Sequence, residues 1–175
     1  MTYQIDPQHT AAQFKVRHMM IANVKGEFDK VTGAVEFDPS NLSLSRVDAC
    51  IDVNSISTRE SQRDEHLKSA DFLEAAKYPR IDFRSQSVSA NGGGYKVAGD
   101  LTIRGVTKPV ILTVSEVTEE VKDPWGLLRR GATASTRISR ADFGLTFNVA
   151  LETGGVLVGD HVDITLDVEM TRKPE

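Results

Sequence analysis

Apolar and polar residues alternate with a period of two along most of this chain, the pattern of half-buried β-strands. In the stretch from Ala11 to Met20, Phe14, Val16, His18 and Met20 share one face, and Gln13, Lys15 and Arg17 share the other. Val24 and Phe28 continue the apolar face on even numbers, and Val31, Gly33, Val35 and Phe37 resume it on odd numbers. That shift predicts a bulge or sharp bend near Asp29–Lys30. Val47, Ala49, Ile51 and Val53 oppose Arg46, Asp48, Cys50 and Asp52. Further strands are read at RIDFRSQSV, at YKVAGDLTI with Tyr95, Val97, Leu101 and Ile103 on one face, at TKPVILTVSEV and at the polar GATASTRIS. The last strand sets Val162, Ile164, Leu166, Val168 and Met170 against Asp163, Thr165, Asp167 and Glu169. NGGG and Arg104–Gly105 read as turns.

The alternation breaks once, between Ser57 and Pro79, where a charged helical stretch intervenes. Ser57 with Glu60 three residues later reads as a capping box, so the helix is expected to begin there. Ser69 is placed to cap a second turn, and Pro79 ends the segment. About eight strands and one helical insert predict a mainly β fold, an eight-stranded antiparallel barrel in a single domain over residues 1–175. Closure removes exposed strand edges. A barrel of that size is just wide enough to be filled by side chains or to hold one slender ligand.

Composition narrows the function classes. A chain of 175 residues with 26% charged and 39% hydrophobic residues suits one globular domain. A net charge of −4 and the lack of a basic run argue against nucleic acid. No stretch approaches the ~20 apolar residues of a membrane-spanning helix, which leaves transient membrane contact as the expected mode. The first residues lack the charged start and apolar run of a signal peptide. The expected location is therefore cytoplasmic as the chain is written, or periplasmic if a leader preceded Met1 and was removed.

Candidate chemistry is sparse. Cys50 is the sole cysteine and reads as a small half-buried residue rather than a reactive thiol. The histidines, His9, His18, His66 and His161, have no ligand spacing, so no metal site is expected. There is no G-x-S-x-G elbow and no phosphate loop, so no catalytic residue is assigned. The run Arg59, Glu60, Arg63, Asp64, Glu65, His66 reads as a solvated helix face, or as a lid whose Leu67, Phe72 and Leu73 line one barrel mouth. Trp125, between Pro124 and Gly126, reads as a loop anchor or as an aromatic wall at that mouth.

Seven segments, in order, carry a resemblance. They are YxIDxxHTxxxFxVxHM at 3–19, GxFxxxxGxxxFD at 26–38, RDEHLKSADFL at 63–73, YPRIDFRS at 78–85, GDLTIRGVTKPVxL at 99–112, ADFG at 141–144 and VGDxVxITLDVE at 158–169. Through them the chain resembles the YceI-like polyisoprenoid-binding proteins. The resemblance implies a lipocalin-like barrel holding a long isoprenoid chain or an isoprenoid quinone, with no other cofactor required. It also implies a homodimer and, for many members, export to the periplasm.

The expected lining is Phe14, Val16, His18, Phe28, Val35, Phe37, Ile51, Val53, Leu67, Phe72, Ile81, Phe83, Leu101, Ile103, Leu112, Trp125, Phe143, Phe147, Ile164 and Leu166. Asp6 and His18 are the polar head-group candidates. Each buried CH₂ contributes about 0.8 kcal/mol and a net hydrogen bond about 0.5–1.5 kcal/mol, so apolar lining should dominate affinity. The leading expectation is storage or transport of an isoprenoid without chemistry. The alternatives are an enzyme using His18 or His66 with a nearby carboxylate, and a filled structural barrel that acts by dimerising.

Overall fold

Twelve strand segments occupy eight positions around one closed antiparallel barrel in the computed structural model, which describes residues 1–175. The segments are β1 (Thr2–Ile5), β2 (Ala11–His18), β3 (Ala22–Phe28), β4 (Val31–Glu36), β5 (Arg46–Asp52), β6 (Ile56–Ser57), β7 (Arg80–Asn91), β8 (Gly94–Ile103), β9 (Val106–Val117), β10 (Val121–Lys122), β11 (Leu128–Ser139) and β12 (Val158–Arg172). Each position pairs with its neighbours in sequence, and the last closes on the first. One edge of β12 meets β11 from Leu128↔Arg172 to Ser139↔His161. Its other edge meets β1 at Gln4↔Thr171 and β2 from Asp167↔Ala11 to Val158↔His18.

Four positions are built from broken strands: β1/β2, β3/β4, β5/β6 and β9/β10. Between β1 and β2 the buried Thr10 stitches the gap: its hydroxyl donates to the Glu169 carbonyl (3.2 Å) and accepts from the Glu169 N–H (3.1 Å). The expected bend at Asp29–Lys30 is a break: β3 ends on inward Phe28, and β4 restarts on inward Val31. Gly33 in β4 has φ of +145°, and a Cβ there would meet the Asp48 carbonyl oxygen at 2.1 Å. The barrel wall can approach that closely only without a side chain. Across β2–β3, the Phe14 ring lies over Gly26, where a Cβ would fall 2.4 Å from the ring.

The up-and-down order gathers alternate connections at the same end. The helix end carries the β2–β3 turn, the segment 58–79, the Arg104–Gly105 turn and the loop 140–157. The opposite end carries both termini, the 91–94 turn and the 118–127 loop. There, Tyr3 (fully buried), Phe37 and Met170 form a separate apolar layer. The Tyr3 hydroxyl donates to Glu120 and accepts from Arg130 Nε at 3.0 Å. Arg172 donates two 2.9 Å bonds to Glu120.

The helix α1 runs Ser61–Lys68 and begins later than the capping box implies. Ser57 is already paired in β6, and Glu60 takes the N-cap instead, accepting from the Gln62 and Arg63 N–H groups. The charged run is also less solvated than its sequence suggests. Arg63 donates to the Thr58 hydroxyl and carbonyl, both at 2.8 Å, while Asp64 accepts from the Thr58 N–H and hydroxyl. Those two charges clamp the short helix, which buries none of its own residues, to the end of β6.

Cys50 sits half-buried in β5, between Thr32 on β4 and Asp82 on β7. Burial pushes its thiol pKa up, and the Asp82 and Asp52 carboxylates add to the rise. Alkylation by iodoacetamide at neutral pH is therefore expected to be several-fold slower in the folded protein than in urea. Equal rates would contradict this placement.

Candidate functional site

The inward faces do not meet across the barrel. They surround a cavity of about 450 Å³ lined by 49 residues, 39 of them hydrophobic. Along β12 the lining extends from Val158 to Met170, roughly 40 Å at about 3.3 Å per residue. The space exists because one wall is built small. On β11 three of the four cavity-lining positions are small, Ala132, Ala134 and Thr136, with only Ile138 large, while Phe14, Phe28 and Phe83 supply bulk from other strands. This size and apolar lining fit a pocket that takes its affinity from hydrocarbon.

Toward one end the cavity stops near the layer of Phe37 and Met170. Toward the other it reaches loop residues. β6 covers only Glu27 and Phe28 of β3, so the rest of that edge has no strand partner on this side. Leu67 and the segment carrying Phe72 and Leu73 line the cavity there. The His66 ring packs edge-on against Phe72 (5.0 Å) and Phe147 (5.1 Å), joining the helical segment to the loop 140–157. Arg104 donates to the Phe72 carbonyl at 2.9 Å and pairs with Glu74. Within that loop Arg140 is buried. It donates to the carbonyls of Gly159 (2.8 Å), Leu145 (2.6 Å) and Val158 (3.2 Å).

The structure brings together Phe14, Val16, His18, Phe28, Val35, Phe37, Ile51, Leu67, Phe72, Ile81, Phe83, Leu101, Ile103, Leu112, Phe147, Ile164 and Leu166 on the cavity surface. Four expected site residues lie elsewhere. Val53 and Phe143 are buried in short 3-10 turns after β5 and β11, where the strand alternation no longer applies, and pack into the wall. Trp125 is 81% exposed at the end opposite the helix. Asp123 accepts from the N–H groups of Trp125 (2.8 Å) and Leu127 (2.9 Å), a turn that projects the indole into solvent.

Asp6 follows inward Tyr3 and Ile5 at the opposite parity and points out of the barrel, bonded to His9 and Arg129 at 2.9 Å each. Arg129 also donates to Asp123 and Glu169, both at 2.6 Å. Asp6, His9 and Glu169 could together approach a metal ion, but the Arg129 guanidinium already neutralises that cluster.

Sequence reading missed the small face of β11, the inward Val110 and Val114 of β9, and Arg63 and Arg140 as lining residues. Strict alternation would have found the β9 positions. The carboxylate that the enzyme alternative required beside His66 is Asp71, whose Oδ2 lies 2.8 Å from His66 Nε2, both partly exposed at the cavity end.

The carboxylates at the barrel's terminal end have lowered pKa values. Hydrogen bonds from Arg172 and then Tyr3 lower that of Glu120. Burial alone would raise Asp6 and Asp123, but donors outweigh it: His9 and Arg129 for Asp6, Arg129 and backbone N–H groups for Asp123. The unfolded chain therefore binds more protons as pH falls. The stabilisation is complete above the unfolded values of 3.8 (Asp) and 4.5 (Glu), and is lost as pH drops through the folded ones. Thermal midpoints should stay level down to about pH 5 and fall steeply below about pH 4. A midpoint unchanged at pH 3 would contradict these pairings.

The profile of the YceI-like domain family matches residues 3–170. A UPF0312 protein of Yersinia pestis is 40% identical over 169 residues, covering 95% of this chain and 84% of its own length. BcnA of Burkholderia cenocepacia superposes with a TM-score of 0.82 at 23% identity, covering 94% of this chain and 98% of BcnA. A polyisoprenoid binding domain from Saccharophagus degradans, implicated in plant cell wall breakdown, superposes with a TM-score of 0.66 at 16% identity, covering 98% of each chain.

Proposed function

The chain belongs to the YceI-like domain family, and on that premise we propose that it binds a long isoprenoid lipid, a polyprenyl chain or an isoprenoid quinone, and carries it without chemical change. The observation that carries this reading is the elongated apolar cavity, about 450 Å³ in volume, running along the barrel. The polyisoprenoid binding described for the Saccharophagus degradans domain supports it. Branched hydrocarbon against Phe, Leu, Ile and Val supplies the affinity, at about 0.8 kcal/mol per CH₂ buried. His18 lies on the cavity surface and is the polar group we assign to orient the head.

The His66–Asp71 pair is the one observation that favours an acid–base enzyme. It holds the aromatic contacts of the cavity end and has no activated nucleophile beside it, so we read it as a positioning element. Titration with a polyprenyl quinone in detergent tests the proposal, with saturation at one ligand per chain expected. No saturable binding would overturn it. Sedimentation of the same sample measures the homodimer that the family resemblance implies.

A further inference from the structure

Five of the ten large apolar side chains that the barrel leaves exposed lie together at the cavity's loop end; the others, Met1, Leu44, Ile111, Val121 and Trp125, fall on β9 or around the opposite end. Met19, Met20 and Ile21 form the tip of the β2–β3 turn, and Ile21 is 75% exposed. Val149 and Val156 are exposed on the facing loop. The two tips touch: Met19 N–H donates to the Leu157 carbonyl at 2.8 Å, and Met20 lies against Gly155. Directly behind them His18, Phe147, Leu157 and Val158 line the cavity.

This tip is doubly unfavourable for a turn that only reverses the chain. Met19 and Met20 both have positive φ, 51° and 62°, a conformation that side chains resist. The 91–94 turn leaves its positive φ to Gly92, and the Arg104–Gly105 turn places one such side chain, Arg104 at φ 49°, before a glycine; the methionine tip has two in succession and no glycine. Spending both backbone strain and exposed apolar surface at one point marks that point as serving something other than folding.

We infer that these two tips insert into a lipid bilayer and seat the cavity's loop end on the membrane, so that the cargo passes between bilayer and barrel without crossing water. The inference rests on the proposed isoprenoid cargo, whose hydrocarbon is costly to expose. Five apolar side chains on two convex tips fall far short of the roughly 20–30 residues a side that a stable protein interface uses. With a net charge of −4, attraction to anionic lipid is not the driving force, so binding should persist in high salt.

Two measurements test this. Ile21→Trp in a Trp125→Phe background is mixed with vesicles of phosphatidylcholine brominated along its chains. The indole introduced at position 21 should be quenched, and wild-type Trp125, at the far end, should not. Quenching of Trp125, or none at position 21, overturns the inference. Second, Met20→Ser with Ile21→Ser should bind detergent-solubilised polyprenyl quinone as wild type does, yet extract it from phosphatidylcholine vesicles roughly tenfold more slowly, the factor matching about 1.4 kcal/mol of lost insertion. Extraction at the wild-type rate overturns the docking surface, as does a dimer that this double variant dissolves. Failure to bind quinone even in detergent, for wild type as well, overturns the cargo reading instead.

Discussion

Ala134→Phe is expected to weaken capture of a long isoprenoid roughly 100-fold while leaving the barrel close to wild-type stability. Ala134 is buried on the inward face of β11, beside Val114 of β9 and Leu166 of β12. In a filled core such an enlargement forces neighbours off their rotamers and costs about 1–3 kcal/mol. Here the ring has an existing cavity of about 450 Å³ to enter. It takes the space of three or four chain carbons, so at about 0.8 kcal/mol each the affinity should fall roughly 100-fold. Thermal denaturation and quinone titration on the same sample separate the outcomes. Unchanged affinity would place the ligand elsewhere. A large loss of stability would mean that the interior is already filled.

Arg140→Met should have the largest effect on stability. Burial lowers the Arg140 pKa, yet the guanidinium is held by three backbone carbonyls, those of Gly159, Leu145 and Val158. Methionine keeps the length and packing but donates nothing, so the Gly159 and Leu145 carbonyls lose this donor outright, while Val158 keeps the bond from Asn148 Nδ2 at 2.7 Å. Charge-assisted bonds of this kind contribute about 1.5–3 kcal/mol each, and they do not add fully. A loss of about 3–4 kcal/mol by urea denaturation is expected. Amide exchange from Gly144 to Leu157 should accelerate more than exchange in β7 and β8, because Arg140 ties the loop that carries Phe147 to the start of β12. A variant with wild-type urea midpoint and unchanged loop protection would contradict this role.

The barrel itself was legible in the alternation. Period two separates inside from outside, and the inward sets of β2, β5, β8 and β12 line the cavity or its wall as read. Alternation carries no information past a strand's end: Val53 continues the inward parity of β5 but sits in a 3-10 turn that rotates it into the wall, and Phe143 lies in the turn after β11, where period two does not apply. Parity with the buried Tyr3 and Ile5 is enough to turn Asp6 outward, toward His9 and Arg129. The capping box failed because pairing with β3 claimed Ser57 first.

The cavity was less legible than the barrel. Alternation reports which side a residue faces, not how much volume it leaves. GATASTRIS reads as a polar strand because Ala132, Ala134 and Thr136 are small, and that smallness keeps the interior open. The His66–Asp71 pair depends on how the chain turns after α1, which spacing alone does not specify.

Mass spectrometry of the organic extract from protein purified out of its own source tests the central claim most directly. The account predicts an isoprenoid, a polyprenyl chain or an isoprenoid quinone, in near one-to-one ratio with the chain and strongly depleted in the Ala134→Phe variant. An extract without lipid, or one holding only straight-chain acyl lipids, would contradict it.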